Sequence, residues 1–309
     1  MGIIEVQNLT KDYGSGRGVF DVSFSVDKGE VFGFLGPNGA GKSTTIRHLM
    51  GFSKPQSGST RIFGKDTFDR YYEVLRNVGY IPGEIALPAG LTGREFIRMM
   101  QDLQHCKNDE YLKYLMDMFK LDPSGDTKRM SLGVKRKLAV VTAFMSDPDV
   151  LILDEPTSGL DPVMQEVFIE YVRKEKERGK TILLSSHIFS EVDATCDRIA
   201  IIKDGRIVSD FIADDLKHAS QKNYLVGFAD SAELNKFVAE AGKSEIMKVI
   251  DTDVPRLTVT VSTDDKYINE VIARLSSYKI VNFGHVKETL EDYFMSYYKE
   301  DKSFGGALK

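Results

Sequence analysis

Residues 36–43 read Gly36-Pro37-Asn38-Gly39-Ala40-Gly41-Lys42-Ser43. This run, of the form G-x-x-x-x-G-K-[ST], constrains the backbone more tightly than any other stretch of the chain. Gly36, Gly39 and Gly41 carry no side chains, so main-chain N–H groups can turn inward onto phosphate oxygens. The five residues before the run, 31–35, form a compact apolar strand, and Ile46, Leu49 and Met50 after it recur at helical spacing. A strand feeding a glycine turn that opens a helix aims the positive end of that helix at an anion. In such a loop Lys42 supplies charge to the β- and γ-phosphates of a nucleotide, and the Ser43 hydroxyl is offered to Mg²⁺. Pro37, Asn38 and Ala40 complete the cradle, and Thr44, next in line, is counted with the residues that bind the nucleotide.

A second stretch has the complementary chemistry. Residues 150–153 are a buried-strand pattern that delivers Asp154 and Glu155 at its end. Asp154 is expected to bind Mg²⁺, largely through water, and Glu155 to accept a proton from an attacking water.

The surrounding pattern is α/β. Strands are expected at 3–9 and 19–26 about the glycine-rich turn 14–18. Residues 92–120 read as helical. Thr92 and Glu95 have capping-box spacing there, and Phe96, Met99, Met100 and Leu103 make an apolar face. Pro123-Ser124-Gly125 breaks the chain before a helix over 132–144. Helices at 163–178 and 190–196 then alternate with strands at 181–185 and 199–203, and a hairpin turns at Asp204-Gly205 toward 207–211. Alternation of this kind predicts a largely parallel sheet covered by helices. The run of charge over 173–178 reads as a solvated helix face. Beyond about residue 216 the order becomes β-α-β-β-α-β over 224–283, that of a small ferredoxin-like domain, with a last helix at 290–298. The aromatics Tyr293, Phe294, Tyr297 and Tyr298 are expected to pack that helix onto a core.

Composition narrows the functional classes. A net charge of −5 disfavours nucleic acid as a partner, and Cys106 and Cys196 have no metal-ligand spacing. Residues 1–11 lack the layout of a signal peptide, and no apolar run approaches the ~18 residues of a membrane span. Work at a membrane would need another chain to cross it.

Over residues 1 to about 215 the chain resembles the ATP-binding subunits of ABC transporters. The resemblance implies a P-loop ABC-type ATPase domain over 1–216, with an antiparallel β subdomain and a helical subdomain at approximately 85–146, followed by a small α+β domain over 217–309. It implies ATP and Mg²⁺ as ligands. His187, in Ser185-Ser186-His187, matches the switch histidine at the γ-phosphate, and Gly159-Leu160-Asp161 matches the loop that communicates across a dimer. Tyr13 matches the aromatic that stacks on adenine.

Two segments depart from the family pattern. The signature is Met130-Ser131-Leu132-Gly133-Val134. Ser131 and Gly133 are retained and suffice to cap the next helix at the phosphate of an opposing subunit, while Leu132 replaces a glycine and Val134 a glutamine. After Tyr80-Ile81-Pro82 the family's glutamine is absent; Gly83 stands there, and Glu84, the nearest polar side chain, is one residue out of register, so the expectation is against its replacing the glutamine.

The resemblance further implies a homodimer or heterodimer of such subunits and a polytopic membrane permease as partner. It implies a location on the cytoplasmic, inner face of the cell membrane, and outward transport. A soluble ABC-type ATPase and a nucleotide-gated regulatory protein are the alternatives. The expectation is against the first, since the chain has one ATP-binding half and no long coiled-coil insertion. Lys42, Asp154, Glu155 and His187 argue against the second.

Overall fold

The computed structural model describes residues 2–217, 221–242, 244–286 and 289–299. The described chain divides into two compact units, Met1–Ala213 and Asp214–Lys309.

In the first unit the chain begins with β1 (Ile4–Gly14), β2 (Arg17–Val26) and β3 (Val31–Leu35), then α1 (Lys42–Leu49). Next come β4 (Ser57–Ile62), β5 (Lys65–Asp66), the short helix α2 (Tyr71–Val74) and β6 (Val78–Ile81). Three helices follow, α3 (Gly93–Gln104), α4 (Asp109–Met118) and α5 (Leu132–Phe144). The chain then alternates through β7 (Val150–Asp154), α6 (Pro162–Glu177), β8 (Thr181–Ser186), α7 (Phe189–Thr195), β9 (Arg198–Lys203) and β10 (Arg206–Ile212).

Two sheets result. One has the order β2-β1-β4-β5 and is antiparallel; the other has the order β10-β9-β3-β8-β7-β6. The second is parallel from β9 to β6, with only the β9–β10 hairpin reversed. Every residue of β3, β7 and β8 is buried, as expected of strands with helices on both faces. A core of Val6, Val22, Phe24, Phe32, Phe34, Ile46, Ile152 and Leu183 joins the two sheets, with the Phe24 and Phe32 rings stacked at 5.0 Å. Each such side chain contributes ~2 kcal/mol through removal from water.

Local chemistry sets the helix starts. Thr92 and Glu95 form the reciprocal capping box of α3, Asn108 caps α4, Ser131 caps α5, and Asp161 caps α6 with Pro162 at its first turn. The charge run on α6 is not all solvated, however. Glu175 is buried and takes both Oε contacts from Arg178 Nη1 at 2.8 Å, while Arg178 also pairs with Asp147. The helix packs Phe168 and Tyr171 against Phe144, and Tyr171 against Phe119, so the carboxylate of Glu175 on that buried face goes inside with Arg178 as its partner.

The second unit opens with the short helix α8 (Ala213–Lys217) at its boundary, then β11 (Gln221–Phe228), α9 (Ser231–Ala241), β12 (Met247–Asp253), β13 (Thr258–Asp264), α10 (Ile268–Leu275), β14 (Ile280–Val286) and α11 (Leu290–Lys299). Its sheet has the order β12-β13-β11-β14 and is antiparallel throughout. Alternate residues of β13, Val259, Val261 and Thr263, point to the core with Leu234, Phe237, Val271 and Leu275 from the helices. Phe228, Phe237 and Tyr278 interlock at centroid distances of 5.1–6.2 Å. In α11, Phe294 is buried and Tyr293 and Tyr297 share a hydroxyl contact of 2.9 Å; the side chain of Tyr298 lies outside the described residues.

Candidate active site

Strand register builds the site. In the parallel sheet Leu35 pairs with Ser186, and Asp154 with Ser185. The carboxyl ends of β3, β7 and β8 therefore finish level, and the segments starting at Gly36, Glu155 and His187 leave the sheet side by side. That edge is where open α/β sheets hold ligands.

The phosphate loop has its glycines where geometry demands them. Gly41 caps α1 at φ 115°, and a Cβ there would lie 2.8 Å from Val19 Cγ1. A Cβ on Gly36 would come within 2.6 Å of the Ile202 carbonyl. Pro37, Asn38, Gly39 and Ser43 are exposed, Thr44 half-buried and Ala40 buried.

Lys42 is 5% exposed and holds its ammonium among three acceptors. Nζ donates to the Gly36 carbonyl at 2.6 Å and the Pro37 carbonyl at 3.3 Å, and forms an ion pair with Glu155 Oε1 at 3.1 Å. The other Glu155 oxygen, Oε2, lies 2.6 Å from His187 Nδ1. Lys42, Glu155 and His187, taken from three separate motifs, thus form one chain of contacts. Oε1 of Glu155 is buried and makes no aligned hydrogen bond, which leaves it an acceptor for an added donor such as water. Glu155 holds this place at φ 49°, an uncommon conformation for a residue with a side chain.

Asp154 is buried beside them. Ser185 Oγ donates to its Oδ1 at 2.5 Å. The other oxygen faces Gly83: a Cβ on Gly83 would stand 3.1 Å from Asp154 Oδ2. The position that lacks a glutamine is therefore occupied by backbone close to the carboxylate, and Glu84 next to it is exposed.

Leu132 and Gly133 pack on the loop after Asp154, and the exposed Ser131 stands beside them at the start of α5. Ser131 Oγ accepts from Val134 N at 3.4 Å at the cap of α5. A Cβ on Gly133 would come 3.0 Å from the Gly159 carbonyl, and one on Gly159 would come 2.7 Å from Leu132 Cγ. Tyr13 sits at the end of β1, its ring 55% exposed with Lys11 Nζ 5.7 Å from its centroid. The same hairpin brings the Gly18 carbonyl within 3.3 Å of where a Gly41 Cβ would stand.

Arg136 and Glu191, two buried charged groups near the site, were not anticipated. Arg136 on α5 is 1% exposed and donates to the Pro82, Gly83 and Ser158 carbonyls. Helical spacing from Arg136 to Val140 and Ala143 in the sequence, a charge on an apolar stripe, is the signal that marks it. Glu191, 2% exposed, accepts from Ser186 Oγ at 2.6 Å through Oε2, and its Oε1 has no hydrogen-bond partner. Burial pushes its pKa up to about 7, opposed by the Ser186 and Thr157 hydroxyls and reinforced by Glu155. No pattern in the sequence distinguishes Glu191 from the exposed acids of a helix start.

A family profile for ABC transporters matches residues 19–158. The chain is 37% identical over 225 residues to the bacitracin transport ATP-binding protein BcrA of Bacillus licheniformis, spanning 71% of this chain and 73% of that one. The chain belongs to the ABC transporter family. This ABC subunit is also 36% identical over 216 residues to the Nod factor export ATP-binding protein I of Burkholderia lata, spanning 67% and 70% of the two chains. The solved structure of an ABC transporter ATP-binding subunit superposes with a TM-score of 0.64 at 34% identity, over 70% of this chain and 92% of that one. A dimeric ATP-binding cassette bound to ADP and Pi has the same fold, with a TM-score of 0.62 at 22% identity, over 68% and 98% of the chains. As an ABC ATP-binding subunit the protein binds ATP and hydrolyses it, and no described helix is long and apolar enough to cross a membrane.

Proposed function

We propose that this ABC subunit drives export through a polytopic permease, attached to the cytoplasmic face of the membrane and paired with a second ATP-binding subunit, identical or different. The contact chain Lys42–Glu155–His187 is the observation that carries the hydrolytic half of the reading. Transport is supported by the relative named as a bacitracin transport protein, and its outward direction by the one named as a Nod factor export protein.

The residues fit ATP and Mg²⁺. Gly36 and Gly41 have no space for a Cβ against Ile202 and Val19, so the turn closes tightly with its backbone free of side chains, and Lys42 brings a nearly buried ammonium to it. Mg²⁺, when bound, neutralises charge on the phosphates; the Ser43 hydroxyl and the Asp154 carboxylate are the groups that would hold it. A polyphosphate competes with Gly36, Pro37 and Glu155 for the donors of Lys42. Glu155 released from that ion pair accepts a proton from water as the water oxygen bonds to the terminal phosphorus and ADP leaves. His187 holds the second Glu155 oxygen and fixes the direction of the carboxylate. Ser131 and Gly133 complete the site of the opposing subunit, Tyr13 carries the adenine, and the unit after residue 216, read as ferredoxin-like, lies outside this chemistry.

The test has two arms. Mg²⁺-dependent hydrolysis by the full chain is expected, and its persistence at the native rate in Glu155→Gln would sink the assignment of the base. Affinity isolation from detergent-solubilised host membranes is expected to recover a polytopic membrane protein in comparable amount. Recovery of soluble partners alone, under ATP trapping, would overturn the transport reading.

A further inference from the structure

Arg136 is a large side chain that is almost wholly buried, and among the described residues no acid forms an ion pair with it. Burying a charge without a carboxylate is costly, so a helix that needed only packing would do better with leucine or methionine here. What the guanidinium has instead is a fork of three carbonyls. Nε donates to Ser158 O at 2.9 Å, Nη1 to Pro82 O at 2.7 Å and Nη2 to Gly83 O at 2.8 Å. The planar group can reach three acceptors at fixed angles; an ammonium on a flexible stem cannot reproduce that.

Two of the three carbonyls belong to residues beside a reacting side chain. Gly83 is the residue whose Cβ would stand 3.1 Å from Asp154 Oδ2. Ser158 closes the turn that starts at the base, its N–H donating to the Glu155 carbonyl at 3.2 Å. The first turn of α5 reinforces the second contact: Leu132, four residues before Arg136 and so on the same helix face, covers Gly159. Burial lowers the Arg136 pKa, opposed by the charges of Asp154, Glu155 and Glu191.

We infer that Arg136 is a positioning residue that ties helix α5 to the backbone beside Asp154 and to the turn after Glu155, through main-chain carbonyls where a glutamine side chain is absent. A displacement of α5 then moves the metal-side carboxylate and the base together. The inference rests on the nucleotide site proposed above, but its first readout does not.

The experiment uses the full chain with Arg136→Lys, and Arg136→Gln as a second variant. Hydrogen exchange without nucleotide is expected to quicken in 81–85 and 156–160 and to stay native in 36–44. With ATP, kcat is expected to fall ~100-fold, the scale of an ångström misplacement of a catalytic group, while KM and the affinity for a fluorescent ATP analogue hold. Lysine, which keeps the charge, is expected not to rescue kcat. Native kcat in Arg136→Lys would overturn the inference, since charge alone would then suffice. So would parallel losses of analogue binding and melting temperature, or failure of both variants to fold, each of which assigns Arg136 to the core. If the wild-type chain binds no analogue, the nucleotide site fails instead, and exchange in the two segments still decides the role of Arg136.

Discussion

Glu155 receives Lys42 at one oxygen and His187 at the other, and it does so from a left-handed backbone at φ 49°. That conformation costs on the order of 1–2 kcal/mol in a residue with a Cβ, so packing around β7 and β8 must hold it. Glu155→Gln keeps the size and removes the base. Turnover is expected to drop by ~10²–10⁴-fold with ATP affinity retained, read by steady-state kinetics and equilibrium binding of a fluorescent analogue. Glu191 supplies a different kind of prediction. Its carboxyl rises from an ordinary value of 4.5 to about 7 because it is buried. Between those values the folded protein keeps a proton that the unfolded chain has released, so stability falls as pH rises through this window. Above pH 7 the full penalty, ~3 kcal/mol, is present. Glu191→Gln is expected to be more stable than the native protein at pH 8 and nearly equal at pH 4.5, by urea unfolding at the two pH values. An equal difference at both would show that Glu191 is not the titrating group.

At the level of elements, what was legible depended on whether the cause was local. The phosphate-loop strand, α5 and the alternation from β7 to β10 follow from apolar periodicity, caps and turns, and the sequence places them within a residue or two. The stretch 51–91 yielded no elements. β4 carries buried Thr60 and Ile62 amid Ser57, Gly58 and Ser59, too short an apolar signal to read. It exists because β1 pairs with it, and because the Thr60 and Thr67 hydroxyls both donate to the His48 carbonyl on α1. Those partners are distant in sequence. The same holds in the site: Lys42, Asp154, Glu155 and His187 were legible as motifs, whereas Arg136 binds carbonyls that no side-chain pattern announces. The start of α6 allows a test of how local a motif residue is. Asp161 Oδ1 accepts from Met164 N at 3.0 Å, so its visible work is to cap. Asp161→Asn retains a good cap and is expected to unfold in urea within a few tenths of a kcal/mol of the native chain, with Asp161→Ala losing ~1 kcal/mol. If hydrolysis falls in Asp161→Asn without that loss of stability, the residue acts beyond its own helix, as the dimer reading requires.

For the whole molecule, the question is how such a chain reaches a membrane. No described helix can span one, and the net charge of −5 repels an anionic surface, where basic segments gain ~1 kcal/mol per lysine or arginine. On the transport reading proposed above, attachment runs through the permease. Near the missing glutamine Phe52 is 61% exposed and its ring meets Tyr80 edge-on at 5.9 Å, an apolar group that the permease is expected to cover. Tyr80 belongs to β6, two residues before the carbonyls that Arg136 holds, so a partner seated there would press on the segment that leads to Asp154. Flotation separates the routes. With vesicles of ~30% anionic lipid the chain is expected to stay in the dense fraction, and with vesicles carrying its permease to float. Phe52→Glu is expected to abolish the second behaviour while leaving ATP binding intact, because a carboxylate there must be desolvated against an apolar partner. Flotation with lipid alone would mean that the chain binds the bilayer directly, and the permease would no longer be needed to explain its location.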